Sequence, residues 1–282
     1  MPARVGKHVA TFLLVLGSLW ALWEGYKWLW ESTGWTWPFA VDDLTVPHLH
    51  SIFLQLGEPT STGDDLWLYL LRAALFTAKS AAVGFAIGAV VGFVLGVVLA
   101  QFDVLRRGVM PYVVASQTIP ILALAPILVR GLGSVSINGS PPADWVRVSV
   151  IAAYLTFFPV TVNTLRGLRS ADPWARELMH SYAARGWTIL WKLEVPSALP
   201  YIFTALKIAA TASVVGAIIG EQTASITNGL GGAILNFNQY YVLEPTNLWA
   251  TNVYAALLGI SFFLLVLLAE KVVVHRAPER LV

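Results

Sequence analysis

The sequence predicts an all-α polytopic membrane protein with six transmembrane helices and both termini on the cytoplasmic side. Three observations predict it. Of 282 residues, 57% are apolar and only 12% are charged, about half the roughly 25% charge of a soluble domain. Six stretches are long and apolar enough to approach the roughly 20 residues that cross a bilayer core. Lysine and arginine also gather on alternate connections, as the positive-inside rule requires. The same figures exclude other classes. Disorder needs low hydrophobicity and high net charge, whereas mean hydropathy is +0.68. A net charge of +2 is too small to argue for a nucleic-acid partner. The chain has no cysteine, so disulfides, thiol nucleophiles and thiolate metal sites are excluded.

Each span is read between its bounding charges. His8 to Trp23 lies between Lys7 and Glu24, Ser80 to Phe102 between Lys79 and Asp103, and Gly108 to Val129 between Arg107 and Arg130. Val148 to Leu165 lies between Arg147 and Arg166. Val195 to Gly220 is interrupted only by Lys207, which is placed to snorkel toward the cytoplasm. Pro245 to Ala269 precedes Glu270. The first stretch resembles a signal peptide but lacks a small-residue cleavage site and is followed by Trp28 and Trp30. An uncleaved first helix is expected, its tryptophans at the outer interface. The organisation is therefore a first helix (1–30), an extracytoplasmic loop (31–66), a core with five further spans (67–270) and a cytoplasmic tail (271–282).

Charge sets the orientation. Arg4, Lys7, Arg106, Arg107, Arg166, Arg169, Arg176, Arg185, Lys192, Lys271, Arg276 and Arg280 fall on one side, which is cytoplasmic. Segment 31–66 carries six acids and no lysine or arginine. His48 to Leu56 reads as a short surface helix within it. Residues 64–79 read as an interfacial helix or an extension into the second span. Gly84, Gly88, Gly92 and Gly96 repeat at intervals of four. That spacing leaves a groove for another helix, and packing within the chain is expected ahead of a dimer seam.

The cytoplasmic segment 166–196 differs from a simple connection, which needs roughly 2–8 residues. Asp172 suits a helix cap and Pro173 the first turn. Trp174 to Ala184 then reads as one helix with Gly186 as its stop, and Thr188 to Glu194 as a second turn ended by Pro196. A structured, basic, tryptophan-bearing loop of this length predicts a surface to which another protein docks.

Searches for chemistry return little. There is no GxxxxGK[ST] phosphate loop, GxSxG or HExxH, so no catalytic residue is assigned. His48 and His50 alternate in the acidic loop, but no third ligand lies near them in sequence. A solvated loop is expected there, and no metal site is assigned. Carboxylates within spans are too few for a proton-coupled transporter. Uncharged polar residues Gln117, Thr118, Asn163, Thr211, Ser213 and Gln222, with Glu221, are candidates for a translocation path. Hydrogen bonding between helices is at least as good a reading of any one of them. Pro120, Pro126 and Pro200 are candidate kinks.

Glu177-Leu178-Met179, Ala183, Leu193, Val195 and Pro196 resemble the EAA motif of ATP-binding-cassette importer permeases: E-A-A, three residues, G, nine residues, I, one residue, L-P. Leu178 and Met179 replace the two alanines, and Ala183 takes the glycine place. Ile119 to Pro126, Val195 to Lys207, and Glu221 with Gly229-Leu230-Gly231 resemble the nitrate/sulfonate/taurine branch of that family. The resemblance covers residues 64–270. It implies the type I importer permease fold, and a bacterial or archaeal cytoplasmic (inner) membrane location. It further implies a coupling helix formed by Trp174, Arg176, Glu177, Met179, His180, Ala183, Arg185 and Gly186, with Pro196 behind it, docked on a separate ATPase. The implied partners are two ATPase copies, a second permease subunit (identical or paralogous), an extracytoplasmic solute-binding protein and the lipid bilayer. ATP and Mg would be bound by the ATPase, leaving this chain without a cofactor. The alternative is a stand-alone secondary transporter or channel, which leaves segment 166–196 unexplained.

Overall fold

A computed structural model describes residues 2–34, 37, 42–60, 63–135 and 139–274. Arg276 and Arg280 of the basic tail lie outside the described residues. The helices are α1 (Pro2–Thr33), α2 (Leu49–Gln55), α3 (Leu66–Gln101), α4 (Asp103–Ser116), α5 (Ile121–Gly133), α6 (Asp144–Arg169), α7 (Pro173–Ser181), α8 (Gly186–Ile189), α9 (Val195–Thr223), α10 (Leu230–Gln239) and α11 (Pro245–Val273). A five-residue π-helix, Leu190–Glu194, joins α8 to α9. No strand occurs among the described residues, apart from an isolated bridge between Pro59 and Asp65. Among the described residues four helices are long and apolar enough to cross a membrane, five if the bent pair α4 and α5 is one span. The predicted first span falls in α1, whose side chains at 2–9 and 12 lie outside the described residues.

The chain divides into two compact units. One comprises Met1–Leu70 with Ile234–Val253, the other Leu71–Ala233 with Tyr254–Val282. In the larger unit α6 is the central helix. Small residues set its contacts. A Cβ at Gly88 would stand 2.6 Å from the Ala153 carbonyl oxygen and from Thr156 Cβ, one at Gly92 2.6 Å from the Phe157 oxygen, and one at Gly96 2.7 Å from Thr164 Cβ. Gly84 meets Ala152 and Ser149 in the same way. The four-residue repeat thus lays the backbone of α3 directly on α6, because nothing projects between them. On its other flank α6 meets α9, where Gly216 faces Ala152 and Gly167 faces Ala198. Ala81, Val148, Val214 and Ala217 close the three-helix core.

One sequence expectation is corrected here. The third span is not one helix: α4 and α5 meet at 97° across residues 117–120. Pro120 lacks an N–H and steers Ile119 out of helical backbone. The Thr118 hydroxyl donates to the Ala115 oxygen at 2.8 Å, and the Tyr154 hydroxyl on α6 donates to the Ser116 oxygen. Pro126, by contrast, lies inside α5. Lys207 reaches the end of α11 that leads into the basic tail, as expected. Its Nζ donates to Glu270 Oε2 on α11 at 2.8 Å, so the two charges are paired. Of the two readings of residues 64–79, the extension is the one observed: residues 66–79 are the start of α3.

Candidate functional site

The segment after α6 folds into a hairpin through local rules. The Asp172 carboxylate accepts the Trp174 N–H at 3.0 Å, and Pro173 stands in the first turn. This satisfies an orphan donor and presets φ for a helix. At the other end the Tyr182 N–H donates to the Leu178 oxygen and the Ala184 N–H to the Met179 oxygen at 3.0 Å. Between them Ala183 adopts φ +54°. The helix therefore turns at Ala183, not at Gly186. Gly186 instead opens α8. The sequence reading relied on glycine for the left-handed conformation, yet alanine holds it here, at a cost of roughly 1–2 kcal/mol. Pro196 likewise does not end the hairpin. It lies in the first turn of α9, where a missing N–H costs nothing.

Helix α7 buries none of its side chains. Trp174 is 80% exposed, Tyr182 78% and Trp187 70%. Trp187 and Trp191 stack edge to face at 5.4 Å. Glu177, His180 and Arg185 are exposed as well, and Met179 is half-buried. Large aromatics on an otherwise polar hairpin are the composition of a protein contact.

The hairpin is held from below by charge. Arg176 pairs with Glu194 at 2.8 Å and reaches toward the Leu168 oxygen at 3.4 Å. Gln101, the last residue of α3, donates to the other oxygen of Glu194 at 3.0 Å. Asp103 accepts from Arg106 at 3.1 Å and also from Arg169. Gln101, Asp103, Arg169, Arg176 and Glu194 line a polar cleft of about 270 Å³ that His180 and Gly186 also border. Glu194 is 7% exposed and closes the π-helix, a wide turn often found at functional positions. Sequence reading missed Glu194, Gln101 and Asp103. One signal was available: Glu194 is the only acid between Glu177 and Glu221.

The seven path candidates are not drawn together. Gln117 and Thr118 are exposed in the break between α4 and α5. Asn163 donates to Pro159, Thr211 to Ile208 and Ser213 to Ala210, each a carbonyl of its own helix. Gln222 is half-buried. Ser213 and Glu221 are enclosed by their own chain and offer a solute no surface. Glu221 has a different role. Its Oε2 accepts the Gly231 N–H at 2.8 Å and the Thr77 hydroxyl at 3.0 Å, and Thr77 Oγ1 accepts the Leu230 N–H at 2.9 Å. The first N–H groups of α10 are thus satisfied from α9 and α3. Gly229 and Gly231 lie against the carboxylate, where a Cβ would collide. This explains the Glu221 and Gly229-Leu230-Gly231 pattern physically.

An all-helical, multi-pass chain with glycine-packed spans and an exposed, charge-braced hairpin is the architecture of a transport permease. Solved structures agree on the fold. A chain of the MetNI methionine ABC transporter, in an inward-facing conformation, matches with TM-score 0.58 over 74% of this chain and 96% of that one at 22% identity. A chain of an amino acid ABC transporter matches with TM-score 0.56 over 73% and 94% at 15% identity. Residues 88–277 match the family model described as the binding-protein-dependent transport system inner membrane component. The chain belongs to this family, the permease subunits of ATP-binding-cassette importers. The riboflavin transport system permease protein RibX of Chloroflexus aurantiacus is 31% identical over 78% of this chain and 80% of its own. The formylaminopyrimidine transport permease protein ThiX of Halalkalibacterium halodurans is 42% identical over 45% of this chain, a match that spans about half of ThiX (47%). Putative aliphatic sulfonates transport permeases SsuC of Bacillus subtilis and Escherichia coli match at 26% and 27%.

Proposed function

We propose that this permease forms half of the pathway for a small solute, delivered by an extracytoplasmic binding protein, and is driven through the α7–α8 hairpin by a separate ATPase that binds the ATP and Mg. The observation that carries this reading is the hairpin: three aromatic side chains at least 70% exposed, Trp174 on α7, Tyr182 just after it and Trp187 on α8, tied to α3 and α9 through Glu194. A load on α7 reaches two long helices by that connection. ATP-driven closure of two ATPase copies would move two such hairpins, and two permease subunits would rock between inward and outward openings. The charge asymmetry supports cytoplasmic termini, and the family description supports a bacterial or archaeal inner membrane. Gln117 and Thr118 are the path candidates that stand exposed, while Asn163, Thr211 and Gln222 are half-buried.

The relatives support a solute class. RibX and ThiX are named for riboflavin and formylaminopyrimidine, both nitrogen heterocycles. They are more similar to this chain than the sulfonate permeases are. A nitrogen heterocycle is therefore the proposed solute. The test is co-purification of the ATPase with wild type and with residues 174–186 replaced by a Gly/Ser linker. ATPase should be lost from the linker variant while the permease stays monodisperse. Retention of the ATPase, or solute uptake by the permease alone in proteoliposomes, favours the stand-alone transporter instead. Competition of uptake by an aminopyrimidine but not by an aliphatic sulfonate supports the heterocycle; the reverse order refutes it.

A further inference from the structure

The smaller unit holds a side-chain cluster that the importer reading does not use. Helix α1 continues past Trp23 to Thr33, so Glu24 stands within a helix. His48 occupies the residue before α2, in extended backbone, and His50 is its second residue. The fold brings His48 Nδ1 to 2.7 Å from Glu24 Oε2. The His48 and His50 rings lie 5.0 Å apart, tilted by 39°. One ligand atom from each of Glu24, His48 and His50 lies within 4.8 Å of the other two.

We propose that Glu24, His48 and His50 bind a divalent transition-metal ion of the zinc class, and that the ion ties α2 to α1. Two imidazoles and one carboxylate, with no sulfur, suit Zn, Cu or Ni rather than Ca or Mg. Bonds of about 2.1 Å in a tetrahedral shell put donor atoms about 3.3 Å apart. His48 and Glu24 must therefore separate by roughly half an ångström, and His50 must swing inward. His50 is exposed and has room to do so. The carboxylate is already oriented, because the Leu49 N–H donates to Glu24 Oε1 at 2.8 Å. That bond leaves Oε2 for the ion, as outer-shell partners do in metal sites. Trp23 Nε1 donates to the Pro47 oxygen at 3.0 Å, which sets the chain just before His48. Three protein ligands leave a fourth position for water.

A second group, Glu31, Asp43 and His48, also has metal-ligand proximity. It already holds a cation. Lys27 Nζ pairs with Asp43 and lies 3.7 Å from Glu31 Oε1, and its side chain is fully enclosed. A dication placed there would face that ammonium. The Glu24 group is the one free to take an ion. His48 serves either group but not both at once, so the two are distinguishable by substitution.

The test uses the full chain, purified in detergent, freed of its purification tag, stripped with EDTA and dialysed against Zn²⁺. Wild type should retain one Zn²⁺ per chain, and Zn²⁺ should raise its melting temperature. His50→Ala and Glu24→Gln should each weaken binding by about tenfold or more and abolish the thermal shift. Glu31→Gln should leave both intact. His50 is exposed, so its substitution reports on binding even if Glu24→Gln proves unstable. Failure of wild type to retain Zn²⁺, unchanged affinity in His50→Ala, or loss of binding in Glu31→Gln alone would overturn the assignment. None of these outcomes depends on the importer reading.

Discussion

Replacing Arg176 with alanine should loosen the hairpin from the helices beneath it. The ion pair is 2.8 Å long, with Glu194 10% and Arg176 38% exposed in their side chains. Exposed pairs contribute roughly 0–1 kcal/mol, and removing one partner of a buried pair costs about 3–5 kcal/mol. This pair lies between those limits. Gln101 also continues to hold one oxygen of Glu194, which softens the loss. A cost of about 2 kcal/mol follows, equivalent to a roughly thirtyfold shift in a local equilibrium. Because α7 buries no side chain, little else resists its release. Hydrogen exchange on the reconstituted permease should show α7 amides losing about thirtyfold in protection, with the middle of α9 unchanged. Glu194→Gln should give a smaller loss. In the double-mutant cycle the two should couple by more than the roughly 0.5 kcal/mol expected of independent sites. Transport assays on the assembled system should then show ATP hydrolysis continuing while uptake falls. Additive effects in the cycle, or α7 protection equal to wild type in Arg176→Ala, would refute the brace and with it the route proposed from hairpin to spans.

Three further substitutions probe the fold. Ala183→Gly should stabilise the hairpin by about 0.5 kcal/mol, the relief of left-handed strain less the added entropy of the unfolded chain; a drop in protection of the 182–186 amides would contradict the turn. Gly88→Ala should cost about 1–3 kcal/mol and lower the yield of monodisperse permease, since the new methyl meets backbone oxygen at 2.6 Å. Gly108→Ala, with open space around it, should be neutral or stabilising. Equal behaviour of the two variants in a thermal aggregation assay would count against the α3–α6 contact.

What sequence reading captured, and what it missed, can be traced to individual residues. The glycine repeat pointed to close helix approach, because a four-residue spacing defines one helix face wherever the helix lies. Which helix approached was not legible, since the partner atoms on α6 are some 65 residues away in the chain. The hairpin was legible from Asp172, Pro173 and the basic loop, all of them local signals. Its turn was misplaced because Ala183 carries no signature of positive φ; the strain is imposed by the bonds of Tyr182 and Ala184 to α7. Glu221 looked like a path residue because a carboxylate at a span end has two roles in isolation. Only the arrival of Gly231 and Thr77 shows that it caps α10.

Hydropathy, the sign of loop charges and the capping residues are properties of short stretches. They were enough to establish a membrane-spanning helical chain, the approximate extent of several long apolar helices and a structured hairpin between α6 and α9. Pairings between distant residues depend on which surfaces the packed helices bring face to face. Glu24 beside His48, Arg176 on Glu194, Lys207 on Glu270 and the 97° break after Ser116 belong to that second kind. The reason is that a side chain's partner is selected by close packing and by the need to neutralise buried charge, and both are satisfied across the fold rather than along the chain.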